Sequence, residues 1–176
     1  MLIQAYNEDW ERDFKRIKAI LETQLPLNQI EIEHIGSTSV PGLAAKAIID
    51  IDIVYHRPQT FQEIKAGLER LDYIHHGDQG IPCREVFKRN KQKKHHPILD
   101  SITHHLYVCP VDSLELQRHL AFRDFLRKDE KARIAYEKLK LQIAALTHQD
   151  KKAYAKLKES MAKDFIESII EKAKAD

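Results

Sequence analysis

One stretch narrows the possible folds more than any other, Ile48-Ile-Asp-Ile-Asp-Ile-Val-Tyr55. Its β-branched residues suit a pleated strand. Successive side chains of a strand point to opposite sides, so Ile49, Ile51 and Ile53 share a face that belongs to a core. Asp50 and Asp52 share the other face. Two carboxylates about 7 Å apart along a strand repel each other if left bare. A divalent cation relieves that repulsion, and hard oxygen ligands suit Mg²⁺ or Mn²⁺. The same spacing also describes a solvated strand edge, so the pair needs support from elsewhere in the chain.

Support comes from just upstream. Ile30–Ile35 alternates isoleucine with glutamate, the period of a half-buried strand, and runs into Gly36-Ser-Thr-Ser-Val-Pro-Gly42. Glycine lets a backbone approach an anion closely. The N–H groups of a turn entering a helix, with the hydroxyls of Ser37, Thr38 and Ser39, form a cradle for phosphate; in isolation the loop reads equally as a tight turn with serine caps. A short helix is expected from this loop to Lys46.

The rest of the chain alternates. Asn7 caps a first helix carrying Trp10, Phe14, Ile17 and Leu21 on one face. Thr60–Asp72 reads as a second helix with Phe61, Ile64, Leu68 and Leu71. Tyr73–His76, Arg84–Lys88 and Ile102–Val108 read as strands, with Gly77 and Gly80-Ile-Pro82 as turns. From about residue 112 the pattern becomes helical, with Asp112 and Glu115 resembling a capping box. Helices are expected over 113–128, 130–147 and 151–173, the last with Tyr154, Leu157, Met161, Phe165 and Ile169 on one stripe. The expected fold class is α+β: a mixed sheet with packed helices and a helical C-terminal part, 1–176 forming one domain.

The spaced motifs together, strand, Gly-Ser turn, strand with Asp-x-Asp, resemble the signature of nucleotidyltransferases with a DNA-polymerase-β-like fold. A closer resemblance covers nearly the whole chain. Glu33-His-Ile-Gly-Ser-Thr-Ser-Val-Pro-Gly-Leu43, Ala45-Lys46 and Ile48-Ile-Asp-Ile51 look like the hallmark of the GrpB-like (UPF0157-type) family. Gly80-Ile-Pro-x-Arg84, His104-His-Leu106, Phe122-Arg-Asp-Phe-Leu-Arg127, Tyr136 with Leu139-Lys140, and Tyr154 with Lys158 follow in order. Ala47 stands where that family usually has proline, and Tyr107 where a histidine is common.

The resemblance implies that Gly36 and Ser37 hold a nucleotide's phosphates and that Asp50 and Asp52 hold metal. It implies an NTP substrate, ATP first. Lys46 and Arg84 are placed to neutralise phosphate, arginine through bidentate contacts; Arg123 either joins them or pairs with nearby acids. Such enzymes generally carry a third carboxylate on a later strand, and Ile102–Val108 has none. His105 is the candidate base in its stead, and Glu33 and Glu85 are the other acids to consider. Similar domains occur fused to dephospho-coenzyme A kinases, so a coenzyme A-like ligand is a second possibility.

Composition bounds the remaining choices. Of 176 residues 43% are apolar and 32% charged, and the net charge is +2, so a wholly disordered chain is excluded and any anion site must be local. Cys83 and Cys109 lack metal-site spacing and suit a reducing compartment. With no signal-peptide pattern and no apolar run near 20 residues, a cytoplasmic location is expected. His95-His96 and His104-His105 do not make the tetrahedral set that zinc needs. Lys88-Arg-Asn-Lys-Gln-Lys-Lys-His-His96 reads as an exposed hairpin able to attract a polyanion such as RNA, with only Phe87 beside it for stacking. Three functions follow: a metal-dependent nucleotidyltransferase with an unknown acceptor, a non-catalytic nucleotide- or coenzyme A-like-binding domain, and an RNA-binding or assembly module.

Overall fold

The isoleucine face of Ile49–Tyr55 organises the molecule. A computed structural model describes residues 1–93 and 95–175. In it Ile30–Ile35 (β1), Ile49–Tyr55 (β2), Tyr73–His75 (β3), Glu85–Arg89 (β4) and His104–Pro110 (β5) form one sheet in the order β1-β2-β5-β4-β3. The central β2–β5 pair is parallel and every other pairing antiparallel. Ile49, Ile51 and Ile53 are fully buried with Leu106 and Val108 of β5. They are covered by Trp10, Ile17 and Leu21 of α1 (Asp9–Glu22) and by Ile64 and Leu68 of α2 (Thr60–Arg70). Asn7 lies one residue ahead of the cap position, Glu8, and its Oδ1 accepts from the Asp9 N–H at 2.9 Å.

The opposite face meets the helical part: α3 (Leu114–Lys128), α4 (Glu130–Leu146), α5 (Lys151–Met161) and α6 (Lys163–Ala175). Val54 and Cys109 pack there against Leu116. Arg123 fastens α3 to β1, donating to Glu33 Oε2 at 2.6 Å and to the His34 carbonyl at 3.0 Å. Val40 and Leu43, downstream of the Gly-Ser turn, are buried among Leu126, Tyr136 and Ala162. The turn is therefore held by both halves of the molecule.

Four expectations need correction. The stretch after Gly36 is not a helix to Lys46: one 3₁₀ turn, Ser37–Ser39, gives way to extended chain bridging Gln4 and Ala45. Pro41 and Gly42, with φ +79°, prevent a longer helix. The cap of α3 is Ser113, whose Oγ accepts from Leu116 N–H at 3.4 Å, rather than Asp112. The last helix is two, broken at Ala162, which is fully buried. The break lets α6 lie along α3, where the Arg118 guanidinium grips Glu167, Nη1 to Oε2 at 2.9 Å. Met161, read as part of the buried stripe, is exposed.

Candidate functional site

Parallel pairing sets Asp50 beside His105 and Asp52 beside Tyr107 on the sheet face toward the helices. The two aspartates occupy different surroundings. Asp50 is half-exposed and accepts from His105 Nδ1 at 2.8 Å. Asp52 is wholly buried; its Oδ2 accepts from Nδ1 of His119 on α3 at 2.7 Å. Its Oδ1 is buried with no partner among the described residues. His119 also reaches Glu115 Oε1 through Nε2 at 3.3 Å. Burial opposes charge on that ring, but Asp52 and Glu115 outweigh it and raise its pKa to about 9.

The acids considered from sequence separate cleanly. Glu33 lies opposite Asp52 in register and so on the same face, but Arg123 holds its carboxylate. Glu85 lies opposite Val108, on the other face, and engages His75 Nε2 at 2.6 Å. The acid that does approach is Glu115, delivered by α3 and tied to the pair through His119. Neither was identified from sequence as a site residue: Glu115 entered only as part of a capping box and His119 not at all. Among the described residues no group of three or more His, Cys, Asp or Glu is arranged to hold a metal ion.

Gly36 stands where no other residue fits. Its φ is +71°, and a Cβ there would lie 2.4 Å from Asp50 Oδ2. The turn thus sits directly on the carboxylate. Ser37 Oγ accepts from Lys140 Nζ at 3.2 Å. Thr38 has an internal duty: its hydroxyl donates to the Ile48 carbonyl at 3.0 Å and accepts from His34 Nε2 at 3.1 Å. Lys140, another residue whose role sequence reasoning missed, is almost completely buried and also donates to the Ala44 carbonyl. Burial pushes its ammonium pKa down to about 7, and the charge of Lys158 adds to the effect.

These groups face a cleft of about 740 Å³ between the sheet and the helices. Gly36, Ser37, Asp50 and His105 line one wall, and Lys140, Lys158 and His119 the other. Lys46 lines it too, its Nζ 4.0 Å from the Tyr154 ring centre. Burial, then the charges of Lys158 and Lys151, lower its pKa. Arg84 does not line the cleft; its guanidinium lies 4.6 Å over the ring of Tyr107, which does, and its Nε is buried without a partner among the described residues.

The histidine pairs and the basic segment lie elsewhere. His104 Nε2 meets the Tyr73 hydroxyl at 2.6 Å, and His96 Nδ1 accepts from the Ile98 and Leu99 N–H groups. Arg89 is held by Asp100, and Lys91 and Lys93 are exposed away from the cleft. Lys94, the end of the expected basic run, lies outside the described residues. No helix among the described residues is long and apolar enough to cross a membrane.

Comparison with known proteins gives the chain relatives. It is 34% identical over 143 residues to UPF0157 protein YqkA of Bacillus subtilis, a match covering 81% of this chain and 39% of that protein. The chain thus spans well under half of that relative's length. The crystal structure of conserved protein GrpB from Enterococcus faecalis overlays 97% of this chain and 96% of its own, with TM-score 0.77 and 30% identity. The Cid1 poly(U) polymerase overlays 74% of this chain and 40% of its own at TM-score 0.47 and 11% identity, a likeness too slight to bear on function. The profile described as GrpB protein matches residues 1–172, and the chain belongs to that family.

Proposed function

We propose that the chain transfers a nucleotidyl group from a nucleoside triphosphate, ATP first, to an acceptor hydroxyl. The observation that carries this reading is the join at Gly36, where the Gly-Ser turn rests on Asp50, two residues along β2 from Asp52, whose buried Oδ1 has no partner among the described residues. A buried carboxylate oxygen without a partner is costly and calls for one. Hard oxygens at Asp50 and Asp52 fit Mg²⁺ or Mn²⁺, with the remaining positions left to water and substrate phosphate. When bound there, the ion supplies charge neutralisation for the triphosphate.

The chain's own residues do the rest. The Gly36–Ser37 turn and the Lys140 ammonium hold the terminal phosphates, and Lys46 and Lys158 add positive charge within the same cleft. His105 donates through Nδ1 to Asp50, which leaves Nε2 as the lone-pair nitrogen. That nitrogen takes the proton of the acceptor hydroxyl as its oxygen bonds to the α-phosphorus. The bond from that phosphorus to the bridging oxygen breaks, and pyrophosphate leaves.

A second reading, a nucleotide- or coenzyme A-like-binding domain without turnover, has one observation in its favour. His119 already satisfies Asp52 Oδ2, and among the described residues no third acid joins the pair directly. Calorimetric titration of ATP, then the other triphosphates, with and without Mg²⁺, separates these. Metal-dependent binding that disappears in Asp50→Asn/Asp52→Asn, with pyrophosphate release once an acceptor hydroxyl is supplied, supports the enzyme. Binding indifferent to metal and to the double substitution supports the second reading. No binding by wild type to any triphosphate rejects both nucleotide readings.

A further inference from the structure

Between the phosphate turn and α1 lies a second cavity, of about 440 Å³. It shares Thr38 with the cleft and is otherwise separate from it. Its inner wall is His34, buried and stacked on Phe14 with ring centres 4.6 Å apart and planes 13° from parallel. Four charged side chains line it: Glu11 and Lys15 from α1, and Arg127 and Arg133 from the helical part. Glu11 and Lys15 neutralise each other at 2.7 Å. The two arginines are not matched in this way.

Arg127 directs Nε and Nη2 to the Ser39 carbonyl, at 3.0 and 2.8 Å. Its nearest carboxylate, Asp124, is 3.6 Å away and already accepts from Arg123 at 2.7 Å. Burial, then the charge of Arg123, depress its ionisation, as expected for a cation lacking a counter-ion of its own. Arg133 reaches Glu130 only at 3.7 Å and the Leu126 carbonyl only at 3.5 Å, both at the limit of useful contact. A guanidinium carries five N–H donors, so both retain donor capacity toward the cavity. A volume of this size suits a small ligand.

We propose that this cavity binds a small organic oxyanion, a carboxylate or a phosphate, between Arg127 and Arg133, with its apolar part against Phe14 and Tyr6. The site lies behind the turn that the nucleotide reading uses, yet needs no nucleotide to be tested. Inorganic phosphate and, in a separate arm, benzoate are titrated into the full chain while the His34 ring signals are followed by NMR. At least one probe shifts those signals saturably, and the arm that succeeds identifies the oxyanion. In Arg133→Gln the affinity falls by about tenfold, the scale of one charge-assisted contact. In Lys140→Met, which removes the ammonium at Ser37 in the cleft, it is unchanged, which separates this site from the cleft. Arg133→Lys, which keeps the charge and loses the fork, weakens binding too and serves if the glutamine variant melts early. Shifts absent with both probes, or equal binding by wild type and the folded Arg133 variants, overturn the proposal.

Discussion

Gly36 is the residue on which the site turns, because two constraints meet at one atom. An alanine there must adopt a φ that side chains rarely take and must move the carboxylate of Asp50. Gly36→Ala should cost about 1–3 kcal/mol of stability, read by urea denaturation, and should abolish Mg²⁺-dependent ATP binding in calorimetry. Lys140 should show itself through protons. Held near pKa 7 by burial and the charge of Lys158, it is about half ionised at neutral pH. Phosphate arriving at Ser37 favours the charged form, so ATP binding at pH 7.5 should take up protons, seen as binding enthalpies that differ between Tris and HEPES. Lys140→Met should remove that uptake. His34 supplies the acid limit. Burial lowers its pKa to about 4, so between that value and the unfolded 6.5 the unfolded chain binds more protons. Stability therefore falls as pH drops through this window, by at most about 3 kcal/mol. Melting temperatures from pH 7 to 4 should fall less steeply in His34→Phe.

At the scale of elements, α3 is the part that turns a sheet face into a site. It brings Glu115 and His119 to Asp52, and Arg123 fixes it to β1. Arg123→Met leaves Glu33 half-buried without its partner and should destabilise the fold by about 2–3 kcal/mol in urea denaturation. Its effect on ATP binding should exceed what unfolding explains, since His119 moves with α3. Elements whose making is local were legible from sequence: the alternation of β1 and β2 and the stripes of α1 and α2 fall within a few residues of their observed bounds. The shared facing of Asp50 and Asp52 followed from the same alternation, whereas His105 entered through the family resemblance and its place beside Asp50 is set by the β2–β5 pairing. What escaped was decided by packing. Ala162 ends α5 because it is buried against Val40 and Leu43, and nothing in its own neighbourhood announces that. The turn after Gly36 stays extended because Ala45 is bonded to Gln4, far back in the chain. Glu115, His119 and Lys140 belong to helices whose docking no periodicity reveals.

For the molecule as a whole, the order β1-β2-β5-β4-β3 places neighbours in space that are remote along the chain. Asp50 and His105 are 55 residues apart, Asp52 and His119 67, and Ser37 and Lys140 103. Chain closures of this length lose entropy before any contact rewards them, and non-local pairing slows folding. The packing of Trp10 against the isoleucine face can begin with α1, β1 and β2, all within the first 55 residues. During refolding, burial of Trp10 followed by fluorescence should therefore run ahead of recovered ATP binding. A chain halted midway would already hold its two aspartates and its Gly36–Ser37 turn, with His105, His119 and Lys140 not yet beside them. Competence to bind is then a property acquired in the last stage of assembly, and a chain that binds has finished folding.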